Sequence, residues 1–138
     1  MPRVMITRRL HFCAAHRLSV SEWSSEKNAE IFGGCANPNW HGHNYELDIT
    51  VEGPVDEETG FVMDLKALKD LVNERVVDDL DHRNVNLDVP WMEGVMPSTE
   101  NLVVKIWERI QPLIEPPVEL KRLVLWETPR NRAEYWGE

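Results

Sequence analysis

Cysteine is scarce in this chain. Cys13 and Cys35 are the two thiols in 138 residues, which excludes a disulfide framework and points to free thiols in a reducing cytoplasm. Long apolar runs are missing too. No stretch approaches the roughly 18 to 20 apolar residues of a membrane helix. Met1–Leu10 carries three arginines where a secretory leader would need an apolar core. Basic residues thin out after the first third. Residues 1–50 hold five Lys/Arg and five Asp/Glu, so residues 51–138 carry the whole net charge of −9, with 19 acidic against 10 basic side chains. An acidic body repels phosphate backbones and argues against nucleic acid as a partner. Repeats, low-complexity tracts and linkers are absent, and the length suits one domain over 1–138 with its own core.

What is present is periodicity. In His43–Glu52, Tyr45, Leu47, Ile49 and Val51 alternate with polar residues, a period of two that predicts a strand with one wet face. Gly53-Pro54 ends it and Glu57–Gly60 reads as a turn. Val4–Ala14 predicts a second strand, paired with Tyr45–Val51 as a long hairpin. The polar insertion Ser19–Asn39 has room for a short helix around Glu22–Ile31. Met63–Leu80 carries Leu65, Leu68, Val72, Val76 and Leu80 at helical spacing. Ser98 or Thr99 caps another helix, with the stripe Leu102, Val103, Ile106, Ile110 and Leu113 and a stop or kink at Pro112. After Pro116-Pro117, Val118–Glu127 and Arg132–Trp136 read as strands around a turn at Pro129–Asn131. The order ββααββ predicts an α+β domain, a four-stranded antiparallel sheet with two helices on one face. Its open edges favour an oligomer.

His41 and His43 head the clean strand. Residues i and i+2 share a strand face, so both imidazoles project on the side of Tyr45 and Leu47, about 6 to 7 Å apart. His16 ends the partner strand and reaches the same place. Three neutral imidazoles suit zinc and leave a fourth position for water or substrate. Cys35, in a loop six positions before His41, has two readings: a fourth ligand closing a structural site, or a thiolate base beside positive charge. Cys13 reads as core. Asp81-His82 is either a carboxylate polarising an imidazole for proton transfer or an ordinary helix-end turn. Glu127, after an apolar strand, is either an anchor for a heterocycle's N–H groups or a solvated charge.

Several segments appear in register with a known family: Phe12–Leu18, Cys35–Tyr45, Gly60–Asp64, Leu80–Asn86, Ser98–Asn101, Glu127-Thr128 and Gly137-Glu138. Over essentially the whole chain they resemble the 6-pyruvoyl-tetrahydropterin synthase family. The resemblance implies the tunnelling fold, in which three subunit sheets close a barrel and two trimers stack into a homohexamer with active sites at subunit interfaces. It implies Zn2+ on His16, His41 and His43, Cys35 as proton acceptor, and Asp81 and His82 as a relay pair from a neighbouring subunit. It makes Glu127 the anchor of the pterin ring, with Thr99 and Glu100 lining the same pocket. The reaction implied converts 7,8-dihydroneopterin triphosphate to 6-pyruvoyl-tetrahydropterin and releases triphosphate. Within the same family, the 6-carboxy-tetrahydropterin synthases of queuosine biosynthesis also release acetaldehyde. They commonly have three residues between the cysteine and His-Gly-His, whereas this chain has five, Ala36–Trp40. Ala36 replaces an asparagine that often follows the cysteine. Arg17 and Lys27, which lie near the motifs in an otherwise acidic chain, are candidates to hold the triphosphate. A reading of another class is a non-catalytic, zinc-binding oligomeric protein.

Overall fold

The computed structural model describes residues 2–138. Its frame is one long antiparallel hairpin. Strand β1 (Arg3–His16) pairs with β2 (His41–Pro54) in unbroken register from Arg3 opposite Pro54 to His16 opposite His41. Both strands run further than the alternation predicted. His41-Gly42 and Gly53-Pro54 look like loop residues but pair across the hairpin, and Pro54 sits at the strand end, where its missing N–H breaks no ladder. Strand β4 (Glu119–Thr128) lies on the other side of β2, and β5 (Asn131–Tyr135) beyond it.

The expectation of four strands needs correction. A two-residue strand, β3 (Arg83–Asn84), pairs parallel with Ala14 and Ala15, so the sheet has five strands in the order β3-β1-β2-β4-β5 and is open at both edges. A strand this short has no periodicity to read.

The insertion helix is α1 (Ser25–Phe32), capped by the Ser24 hydroxyl on the Lys27 N–H. It starts three residues later than expected. Asp64 caps α2 (Leu65–Val72) by accepting from the Lys66 N–H. The expected continuous helix is broken by a π-helical turn at Asn73–Val77, after which α3 (Asp78–Leu80) completes it. The extra residue in that turn lets Val76, Val77 and Leu80 all face the core. Ser98 caps α4 (Thr99–Ile110), and Pro112 converts its end into a 3-10 turn, Gln111–Leu113.

The inner sheet face carries Leu10, Phe12, Tyr45, Leu47, Ile49, Val51, Leu123 and Leu125, packed against Leu68, Val72, Leu102 and Ile106 of the helices. Each fully buried side chain of this size stabilises by roughly 1.5 to 3 kcal/mol. A bulge near Lys121 lets Leu120 and Leu123, three apart, both face inward. Among the described residues, no helix is long and apolar enough to cross a membrane.

Candidate metal centre and adjoining cleft

The hairpin delivers the three histidines. His16 and His41 are direct register partners, and His43 lies opposite the small Ala14. Gly42 lies between them in a tight spot: a Cβ there would stand 3.3 Å from the Ala14 carbonyl oxygen and press on the partner strand. Trp40 enters β2 through a φ of 70°, in a turn closed by Trp40 N–H on the Asn37 carbonyl at 3.0 Å.

Ring centroids lie 4.5 Å apart for His16–His41, 4.9 Å for His41–His43 and 5.1 Å for His16–His43. One nitrogen from each ring falls within 4.8 Å of the others. His16 is 1% exposed, and its Nδ1 lies 2.7 Å from the Pro97 carbonyl. A carbonyl can only accept, so Nδ1 carries the proton and Nε2 keeps its lone pair toward the other rings. Burial pushes the pKa of all three histidines below the usual 6.5, the neutral, ligating form. His16 Nε2, both nitrogens of His41 and His43 Nε2 are buried without a hydrogen-bond partner. Converging, neutral, unpartnered imidazole nitrogens are the donor set that fits a zinc-type cation.

Cys35 lies outside that set of mutually close donors. It sits in the 3-10 turn Gly33–Ala36, held by Leu18 N–H donating to its carbonyl at 2.8 Å and by Arg17 Nε donating to Ala36 O at 3.1 Å. The loop is thus tied by backbone groups that Ala36 supplies as well as asparagine would. Burial raises the Tyr45 hydroxyl pKa above its usual range, with a further contribution from Glu127. That hydroxyl lies 3.5 Å from His16 Nδ1. The Arg17 side chain braces this loop, and Lys27 lies 4.1 Å above the Trp23 ring in the insertion.

Glu127 joins the trio to a second space. Its Oε1 stands 3.4 Å from His43 Nε2, within ion-pair reach but not aligned as a hydrogen bond. The Thr99 hydroxyl donates to its Oε2. Thr99, Glu100, Glu127 and Asn131 line a cleft of about 550 Å³. The Thr99 side chain comes to Glu127 because Ser98, not Thr99, takes the cap position and turns the next residue inward.

Asp81 and His82 are placed elsewhere, on the turn after α3. Asp81 Oδ1 accepts from the Cys13 N–H at 2.9 Å and Oδ2 lies 3.1 Å from His82 Nδ1. The Cys13 amide bond, followed by His82, holds the Asp81 carboxyl below its usual pKa. Cys13, read from its apolar neighbours as core, is placed otherwise. It points away from the core, half-buried, and forms a close set with Asp81 and His82 that does not include the trio. Its inward neighbours are Phe12 and Ala14. The sequence offered one missed signal, the strand alternation itself, which puts Cys13 on the wet face.

The fold and the histidine site together define an α+β enzyme-like protein with a candidate metal centre beside a polar cleft. Residues 5–138 match the sequence model of 6-pyruvoyl tetrahydropterin synthase. The chain is 42% identical over 136 residues to the 6-pyruvoyl tetrahydrobiopterin synthase of Pongo abelii, covering 99% of this chain and 93% of that one. It is 38% identical to a dihydroneopterin monophosphate aldolase of Pyrococcus furiosus, covering 91% and 90%. The solved Caenorhabditis elegans 6-pyruvoyl tetrahydropterin synthase superposes with a TM-score of 0.92 at 37% identity, covering 100% and 98%. The chain belongs to the 6-pyruvoyl tetrahydropterin synthase family and is an enzyme of that lyase type.

Proposed function

We propose that this chain is a zinc-dependent lyase that converts 7,8-dihydroneopterin triphosphate to 6-pyruvoyl-tetrahydropterin and releases triphosphate. The observation that carries this reading is the convergence of His16, His41 and His43 next to the Glu127–Thr99 pair.

The three histidines would hold the metal. The chemistry zinc supplies when bound is withdrawal of charge from the substrate's side-chain oxygens, which acidifies the neighbouring C–H bonds. Glu127 accepts hydrogen bonds from the amino and ring N–H groups of the pterin and fixes the ring in the cleft, with Thr99 and Glu100 alongside. Cys35, as thiolate, takes the proton from the side-chain carbon. Electrons freed at that carbon expel triphosphate from its neighbour, and the ring gains the hydrogens that the side chain loses, so no external redox cofactor is consumed. Asp81 orients His82 to pass protons on. Within one chain that pair is not among the trio's mutually close donors and lies at the β1 edge, which favours its delivery by a neighbouring copy in a homohexamer.

The five residues between Cys35 and His41 favour the pyruvoyl product over the carboxy one. The likeness to the aldolase makes carbon–carbon cleavage the second reading. A product assay with dihydroneopterin triphosphate separates them. The proposal expects one triphosphate released per 6-pyruvoyl-tetrahydropterin formed. Stoichiometric acetaldehyde overturns it in favour of the carboxy product, and a shortened pterin side chain with its phosphates still attached to the released fragment overturns it in favour of aldol cleavage.

A further inference from the structure

Away from the histidine trio, one more set of metal-type donors converges. Cys13 Sγ, an Asp81 carboxylate oxygen and a His82 ring nitrogen all lie within 4.8 Å of one another. They come from segments far apart in sequence that the backbone ties together. Cys13 N–H donates to Asp81 Oδ1 at 2.9 Å, and His82 N–H donates to the Cys13 carbonyl at 2.7 Å. His82 has a φ of 60°, and from that backbone its Nδ1 lies 3.1 Å from Asp81 Oδ2.

We propose that Cys13, Asp81 and His82 form a second binding site, sharing no donor with the trio, for a thiophilic divalent cation such as Zn2+. Donors around a tetrahedral zinc stand about 3.3 to 3.6 Å apart, given bonds of about 2.0 Å to nitrogen or oxygen and about 2.3 Å to sulfur. The carboxylate and imidazole are already that close, and rotation of the Cys13 and His82 side chains brings the sulfur in. As the S–metal bond forms, the thiol proton passes to solvent, and no electron is transferred. The mixture of sulfur, imidazole and carboxylate selects zinc-like cations over Mg2+ or Ca2+. Cys13, His82, Arg83, Asn84 and Asp88 line a cleft of about 540 Å³ that also reaches His43, with room for a water as fourth ligand. Asp88 adds negative charge there, and Arg83 opposes part of it. The His82 side chain is 78% exposed and must be ordered on binding, so this site fills after the trio.

The consequence rests on the proposed function. With His82 and Asp81 committed to a cation, they cannot relay protons, and excess metal inhibits turnover. The test uses the full-length protein carrying its first equivalent of zinc, titrated with Co2+. A second equivalent per chain is expected, with a thiolate-to-cobalt charge-transfer band. Cys13→Ser keeps the backbone bond to Asp81, abolishes the band and weakens the second equivalent by at least about tenfold. Cys35→Ser leaves both unchanged. Absence of a second equivalent, a band that survives Cys13→Ser, or a band lost only in Cys35→Ser overturns the site. Inhibition by excess zinc that Cys13→Ser relieves supports the relay role. A second equivalent that binds without inhibiting keeps the site and overturns the relay role.

Discussion

The histidine trio and the Cys13–Asp81–His82 cluster share one end of β1, yet they are built in opposite ways. The trio grows from two long strands in unbroken register, and its innermost ring is buried and locked to the Pro97 carbonyl. The other cluster rests on a turn, with an exposed imidazole whose orientation depends on a left-handed backbone and one carboxylate. A ligand set that is rigid before its metal arrives binds it more tightly, because ordering it afterwards weakens binding, so the trio is expected to fill first. A proton-relay pair has the reverse need, since it must be reachable. On the proposed function, the trio is complete within one chain, and the pair is half of a site that a second chain completes.

Four changes sharpen or break that contrast. Cys35→Ala removes the proposed base but no trio ligand. Turnover is expected to fall by about 10³ or more, with metal content unchanged by elemental analysis. Asp81→Asn and His82→Asn should each lower turnover by about 10², again with metal retained. Mixing Cys35→Ala chains with Asp81→Asn chains should restore activity in mixed assemblies, and a failure to complement would place the pair and the thiol in the same chain. Glu127→Gln removes a charged acceptor worth roughly 1.5 to 3 kcal/mol. It should therefore raise KM about ten- to a hundredfold, with a smaller change in kcat.

The smallest effect is on stability. Burial lowers the trio's pKa values in the folded state, below the usual 6.5. Below that value the unfolded chain binds protons that the folded chain resists, so stability falls as pH drops. Thermal melts of the metal-free protein should show a decline in Tm below pH 6.5 that is reduced in His41→Ala, whereas an equal decline in both would assign it to other groups.

The trio was legible because its parts carry a local pattern. Tyr45, Leu47, Ile49 and Val51 define a face by alternation, and His41 and His43 continue it. His16 follows once the hairpin is drawn. A cap at Ser98 or Thr99 and an end or kink at Pro112 were legible for the same reason, each acting through its own backbone, and the structure places the cap on Ser98. What escaped depends on distant backbone groups. The Pro97 carbonyl that orients His16 has no residue-type signature. Strand β3 exists only because Arg83 and Asn84 meet Ala14 and Ala15. The Cys13–Asp81 bond uses an amide every residue possesses, and Cys13 read as core because its apolar neighbours masked its own outward place in the alternation. The π-helical turn at Asn73–Val77 follows from the core's demand for both Val76 and Val77.

On the proposed function, three histidines of one chain hold a metal by themselves, with Cys35 beside it rather than on it. Metal content of the purified protein, set against His43→Ala and Cys35→Ala, tests this most directly. The structure's donor set predicts about one tightly held zinc per chain in the native protein and in Cys35→Ala, and none in His43→Ala. Zinc lost with Cys35→Ala, or retained in His43→Ala, would contradict it.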